Sequence, residues 1–263
     1  MRITHLTLQK MVENHEKFAV LTCYDATFAA VLENAGVDVL LVGDSLGNVL
    51  HGSDTTLAVT LDDMLYHTRC VARGSSKALI ITDMPFGSYQ ISPVQAFEHA
   101  ARIIAAGAQM VKIEGGRIMA DTIQFLSQRG IPVCAHIGLT PQSVHQLGGY
   151  KLQGNTEKSA KQLLDDAKML KKSGASLLVM EMVPAKLAKK ITQALSIPTI
   201  GIGAGADCSG QVLVLHDMLG LSQGKKPRFV KDFMPDAKSI PEAVANYVQA
   251  VKTGQFPAKE HEF

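Results

Sequence analysis

Four acidic residues stand where short apolar, β-rich runs give way to turn residues: Asp44 in Val-Gly-Asp-Ser, Asp83 in Ile-Thr-Asp-Met-Pro, Glu114 in Val-Lys-Ile-Glu-Gly-Gly and Glu181 in Val-Met-Glu-Met-Val-Pro. A single Asp or Glu after a strand commonly caps the helix that follows. Four in the same setting point to one site, and carboxylates that converge repel one another unless a cation neutralises them. Mg²⁺ suits such a set, because it takes hard oxygen ligands and keeps positions for substrate oxygens. Asp44, Asp83 and Glu114 are the expected metal ligands, and the expected chemistry is stabilisation of an enolate. Glu181 is better used as the base, since a metal saturated with carboxylates cannot polarise a substrate. Met182 and Val183 follow it, an apolar setting expected to raise its pKa towards the range useful for proton abstraction.

Side chains alternate along a strand, so Lys112 shares a face with Glu114, and Leu40 and Val42 share one with Asp44. His136 closes another apolar run, ahead of the turn-rich Ile137-Gly-Leu-Thr-Pro141, and is more often a structural residue than a ligand in such a place. The sequence has no His-x-His or His-x-x-x-His pair, which argues against zinc. Gly201-Ile-Gly-Ala-Gly205 reads as a tight strand exit, with a phosphate-binding loop as the lesser alternative. Cys23, Cys70, Cys134 and Cys208 are scattered without a Cys-x-x-Cys pair; they predict neither zinc nor disulfides, and fit a reducing cytoplasm.

The elements needed to carry these residues recur along the chain. Apolar runs at 18–22, 39–42, 78–82, 110–113, 133–136, 177–180 and 198–202, with an eighth within 211–216, alternate with helical spacing at 26–35, 61–73, 94–106, 119–129, 157–173 and 184–194. Thr60, Ser92-Pro93 and Pro184 mark helix starts, and Gly36, Gly74, Gly107, Gly130 and Gly174 stand where left-handed caps are wanted. Eight strand–helix repeats predict an α/β fold, a (β/α)₈ TIM barrel, whose reactive groups come from the C-terminal ends of strands. A helix over 6–14 is expected to plug the bottom, and one over 242–253 to pack outside or on a neighbouring subunit.

The whole chain fits one catalytic domain, 1–263, with 46% hydrophobic residues to fill its core. The 26 basic and 24 acidic residues show no cluster long enough to track a phosphate backbone, so nucleic acid is not expected as a partner. No run approaches the roughly 20 apolar residues of a membrane span, and residues 1–17 lack the apolar core of a secretory signal. A soluble, cytoplasmic protein is expected.

The segments Leu41-Val-Gly-Asp-Ser-Leu-Gly47, Met110-Val-Lys-Ile-Glu-Gly-Gly116, His136-Ile-Gly-Leu-Thr-Pro-Gln-Ser143 and Ile200-Gly-Ile-Gly-Ala-Gly205 resemble the ketopantoate hydroxymethyltransferases. Tyr66-His-Thr, Gly148-Gly-Tyr-Lys and His216-Asp217 fall in the family's order, so the resemblance spans nearly the whole chain. It implies a barrel similar to those of phosphoenolpyruvate mutase and isocitrate lyase. It further implies Mg²⁺-dependent transfer of a one-carbon unit from 5,10-methylenetetrahydrofolate to 3-methyl-2-oxobutanoate, for pantothenate synthesis, by a homo-oligomer, a decamer. By resemblance Asp44, Asp83 and Glu114 hold the metal, Ser45 and Lys112 the substrate carboxylate, and Glu181 accepts the proton; Asp44, Asp83 and His136 join the substrate contacts. Asn155, Ala58 and Ser209 depart from the family's usual Arg, Pro and Asp, at positions expected in loops or at helix starts. A carbon–carbon lyase of the isocitrate lyase kind would use a similar cluster, but its Lys-Cys-Gly tripeptide is absent. A catalytically silent barrel serving assembly is the rival of another class, and would show no stabilisation by Mg²⁺.

Overall fold

In the computed structural model, which describes residues 2–222 and 226–263, eight parallel strands close into one barrel in sequence order. They are β1 (Phe18–Thr22), β2 (Val39–Val42), β3 (Leu79–Asp83), β4 (Met110–Glu114), β5 (Val133–Gly138), β6 (Leu177–Glu181), β7 (Thr199–Ile202) and β8 (Gly210–Leu213). The helices are α1 (His5–Glu13), α2 (Ala26–Asn34), α3 (Leu46–Val49), α4 (Leu61–Gly74), α5 (Pro93–Ala105), α6 (Ala120–Ser127), α7 (Val144–Leu147), α8 (Glu157–Lys172), α9 (Ala185–Ala194), α10 (Leu215–Met218) and α11 (Ile240–Lys252). The strands are buried on both faces, which is why they read as continuous Val, Ile and Leu runs instead of alternating ones.

The expected strands form, and three run on to take in the acids: β3 ends on Asp83, β4 on Glu114 and β6 on Glu181. Helix starts follow the expected chemistry. Thr60 closes a capping box with Asp63, and Ser92 accepts the Gln95 N–H ahead of Pro93. Gly74 departs from the cap role: a Cβ there would lie 2.1 Å from the Ala26 carbonyl oxygen, so glycine serves the close approach of α4 to α2. The eighth strand stops at Leu213, and His216 belongs to α10. The repeat is also incomplete, because residues 203–209 join β7 to β8 without a helix.

The seam between β1 and β8 pairs Phe18 with Gly210 and Leu21 with Leu213. Helix α11 lies outside it, and the buried Tyr247 hydroxyl points between the carbonyls of Val20 (2.9 Å) and Gln211 (2.8 Å), one from each strand. Helix α1 sits at the opposite end from the acids. Leu8 is fully buried there, and the Ile3 N–H donates to the Lys77 carbonyl just before β3 begins.

Candidate active site

Because β3, β4, β5 and β6 are neighbours in register, the residues at and near their ends lie side by side. Asp83 lies beside Lys112, and Glu114 beside His136. All seven residues singled out in the sequence, Asp44, Ser45, Asp83, Lys112, Glu114, His136 and Glu181, line one cavity of about 150 Å³ at this end of the barrel. Ligand pockets for drug-sized molecules run to roughly 300–1,000 Å³, so this one suits a ligand of few atoms. Leu41, Val179, Ile202 and Val212 supply its apolar wall.

Lys112 Nζ is 2.9 Å from Asp83 Oδ1 and 3.5 Å from Glu114 Oε1, all three side chains being nearly inaccessible. Asp83 Oδ2 accepts the Asp44 N–H at 3.0 Å. His136 bridges two acids, with Nδ1 3.3 Å from Glu114 Oε1 and Nε2 3.4 Å from Glu181 Oε2. Neither ring nitrogen is aligned for a hydrogen bond, so these contacts are ionic in character. Ser45 Oγ is 3.0 Å from the Tyr24 hydroxyl.

Burial and the neighbouring Asp83 and Glu114 push the Asp44 pKa well above its ordinary value. Burial opposes charge on Glu114 too, but Lys112 and His136 outweigh it and hold its pKa down. Lys112 loses by burial and gains more from Asp83, Glu114 and Asp44, so its ammonium is held strongly protonated. Burial and Lys112 disfavour the His136 cation, yet Glu114 and Glu181 raise its pKa to about 9. The ring is therefore an imidazolium near neutrality, with Glu181 as one of its two partners. The purely apolar setting expected for Glu181 is not what surrounds it, because a cation stands against its carboxylate.

The donor set fits a hard divalent cation in charge and atom type. Three buried carboxylates stand together there, and burial, with the charges of Asp83 and Glu114, pushes the Asp44 pKa up. Each acid spends one oxygen on a protein N–H: Asp44 Oδ2 on Gln142 Nε2, Asp83 Oδ2 on Asp44 N, and Glu114 Oε2 on Gln142 N. The second oxygen of each stays outside those bonds. The ligands are not gathered beforehand: among the described residues no three His, Cys, Asp or Glu side chains form a ready metal-holding group, and the Lys112 ammonium stands between Asp83 and Glu114.

Glu181 is aimed by an unusual turn. Met182 has φ +46°, a left-handed conformation that costs a residue with a side chain roughly 1–2 kcal/mol. Backbone bonds hold it there: Leu139 N–H to Glu181 O (2.8 Å), Met182 N–H to Ile202 O (2.9 Å), Val183 N–H to Gly203 O (3.2 Å) and Gln153 N–H to Met182 O (2.9 Å).

Sequence reasoning missed Gln142 and Tyr89, which organise the acids. The Gln142 amide donates to Asp44 Oδ2 and the Met84 carbonyl, both at 2.9 Å, while its Oε1 accepts the Tyr89 hydroxyl at 2.6 Å. Gln142 lies inside the quoted His136–Ser143 segment, but it sits in a 3₁₀ turn after Pro141, where a polar residue reads as solvated loop. The glycines at 203 and 205 are explained by packing: a Cβ would lie 2.9 Å from Phe229 at Gly203 and 2.6 Å from Ala185 at Gly205. That accords with a tight strand exit. Of the three departures, Asn155 and Ala58 are exposed, whereas Ser209 is buried against Thr199 at the other end of the barrel. No cysteine lines the cavity, and burial raises the thiols of Cys23, Cys134 and Cys208 to about 12.

Residues 2–259 match the family described as Ketopantoate hydroxymethyltransferase. The chain belongs to that family. It is 68% identical over 262 residues to the 3-methyl-2-oxobutanoate hydroxymethyltransferase of Nitrosomonas eutropha, covering 100% of this chain and 97% of that one. The 3-methyl-2-oxobutanoate hydroxymethyltransferase of Nitrosospira multiformis is 66% identical over 263 residues, with both chains fully covered. As a ketopantoate hydroxymethyltransferase family member the protein is an enzyme, which removes the silent-barrel reading. Its fold is shared with phosphonopyruvate hydrolase, solved with oxalate and Mg²⁺, at TM-score 0.61, 13% identity and 80% coverage of each chain. It is shared too with 2,3-dimethylmalate lyase, a member of the PEP mutase/isocitrate lyase superfamily, at TM-score 0.58, 21% identity and 81% coverage of each.

Proposed function

We propose that this enzyme transfers a hydroxymethyl group from 5,10-methylenetetrahydrofolate to 3-methyl-2-oxobutanoate, giving 2-dehydropantoate (ketopantoate) for pantothenate and coenzyme A synthesis. The observation that carries the reading is the placement of Glu181 and the Asp44–Asp83–Lys112–Glu114 cluster around one small cavity. A carboxylate base and a charge-stabilising cluster across a space for few atoms are what enolisation of a short oxo acid requires. Asp44, Asp83 and Glu114 would hold Mg²⁺, which supplies positive charge for the oxygens of the oxo acid as its C3 proton leaves.

The protein's own groups do the rest. Glu181 takes the C3 proton, and His136 Nε2, 3.4 Å from its Oε2, holds the carboxylate in place at the cavity. Lys112 and Ser45 bind and orient the substrate carboxylate. The C3 carbanion then forms a carbon–carbon bond to the folate methylene as one of its two C–N bonds breaks; water displaces the other, leaving its oxygen as the hydroxyl, and the proton from C3 and one from that water go to the two freed nitrogens of tetrahydrofolate. A wider space of about 560 Å³ opens above the inner cavity and shares Asn48, Tyr150, Glu181, Asp217 and Phe229 with it. Leu139, Met182, Phe229 and Phe263 offer an apolar ledge for a flat ring there, and Lys226 and Arg228 offer charge for an acidic tail.

The whole chain, 1–263, acts in this reading as a single catalytic domain. It works in the cytoplasm as a homodecamer, in which contacts between copies cover exposed apolar side chains such as Phe86, Ile91 and Ile118. Among the described residues no helix is long and apolar enough to cross a membrane.

The test is proton exchange at C3 of 3-methyl-2-oxobutanoate in D₂O, followed by NMR with Mg²⁺ and without folate. Exchange should depend on Mg²⁺ and fall at least about 10²-fold in Glu181→Gln. Undiminished exchange in that variant would remove Glu181 as the base.

A further inference from the structure

The side-chain hydroxyl of Thr56 has no hydrogen-bond partner among the described residues, although the residue is only 2% exposed. Buried hydroxyls are nearly always paired, because one stripped of water and left alone is costly. The segment carrying it is not loose. Between α3 and α4, the Ser53 N–H donates to Gly47 O at 2.8 Å, Asn48 Nδ2 donates to Ser53 O at 2.9 Å, and Val59 N–H donates to the Thr56 carbonyl at 3.1 Å. A Cβ on Gly47 would lie 3.4 Å from Thr56 Cα, so the segment is pressed directly onto α3. Thr56 lines the same inner cavity as Ser45, Lys112 and Glu181.

We propose that Thr56 is a substrate-binding residue whose hydroxyl donates to an oxygen of the oxo acid held in the inner cavity. The inference rests on the oxo-acid reading above. The chemistry of that ligand fixes the direction of the bond: a carboxylate and a ketone offer only acceptors, and the remainder is aliphatic. A hydroxyl without a protein acceptor complements such a ligand without adding charge to a cluster that already holds Lys112 and His136.

The test compares wild type, Thr56→Val and Thr56→Ser as full-length protein. Binding of 3-methyl-2-oxobutanoate in the presence of Mg²⁺ is measured by calorimetry without a one-carbon donor, alongside the melting temperature of each unliganded protein. Thr56→Val should weaken binding about tenfold, Thr56→Ser should restore it, and the unliganded Thr56→Val protein should melt no lower than wild type. Equal affinity of wild type and Thr56→Val overturns the assignment. A Thr56→Val protein that melts several degrees lower, with weak binding that Thr56→Ser does not restore, also overturns it, because the residue is then structural. Wild-type protein that binds no oxo acid removes the substrate reading itself, and Thr56 with it.

Discussion

Glu33 at one end of the barrel and Asp44 at the other are treated in opposite ways. At the N-terminal end, Glu33 gathers donors: Ser75 Oγ at 2.6 Å and the backbone N–H groups of Lys77 (2.7 Å), Ala78 (2.9 Å) and Ser76 (3.0 Å). Burial works against its charge, but these bonds outweigh it and bring its pKa down to about 2. Asp38, at the same end, accepts the Ala19 N–H and pairs with Lys252. At the C-terminal end Asp44 is pushed up by burial and by two neighbouring acids. The first arrangement favours the ionised form of Glu33 and ties the chain together. The second disfavours charge on Asp44, although Lys112 and His136 hold the Glu114 pKa down, and leaves a site that a cation and a substrate can complete, the division of labour expected of this fold.

The sharpest way to break the comparison is Asp44→Asn. If the C-terminal acids serve chemistry at a cost to stability, C3 exchange should fall by about 10²-fold or more, while the melting temperature should not drop. A drop of several degrees without loss of exchange would place Asp44 with Glu33 as a structural acid.

Glu33→Gln should do the reverse. Activity should persist, and stability at pH 7 should fall by about 1–2 kcal/mol, a figure reduced for the solvent screening of a partly exposed group. The folded-state pKa lies below the ordinary 4.5, so the stabilisation is complete above 4.5 and disappears as the pH falls towards 2. Urea midpoints of variant and wild type should therefore converge between those values. A constant gap across that range would mean the acid's charge does not matter.

The smallest effect concerns access. Cys23 follows β1 at the site's end and Cys208 precedes β8 at the other, and burial holds both thiols at about 12. Iodoacetamide on the native protein should label the half-buried Cys70 first. Cys23 labelled as fast as Cys70, with Cys208 still protected, would show that the catalytic end opens readily.

Much of this was legible in the sequence, for identifiable reasons. Parallel strands buried on both faces leave unmistakable apolar runs, and an acid that ends such a run stands out, as Asp83, Glu114 and Glu181 do. The missing helix between β7 and β8 was not legible, because closure depends on what fills the outside, and α11 covers the seam from far along the chain. The Gln142 and Tyr89 clamp was hidden for a related reason: its partners lie 98 and 53 residues away in sequence. The surroundings of Glu181 were misjudged because its following residues are apolar, whereas the group facing it, His136, comes from the neighbouring strand.

The pairing of β1 with β8 carries a further consequence for how the barrel is made. As the chain emerges in synthesis, β1 and β2 can pair once residue 42 is out, yet the other edge of β1 has no partner until Gly210–Leu213 follows. For most of translation the growing sheet therefore has an open, apolar edge, the form most prone to pairing with a wrong strand. Tyr247 reaches both seam carbonyls, so it can act only after the ring has closed. It works as a latch across the closed ring.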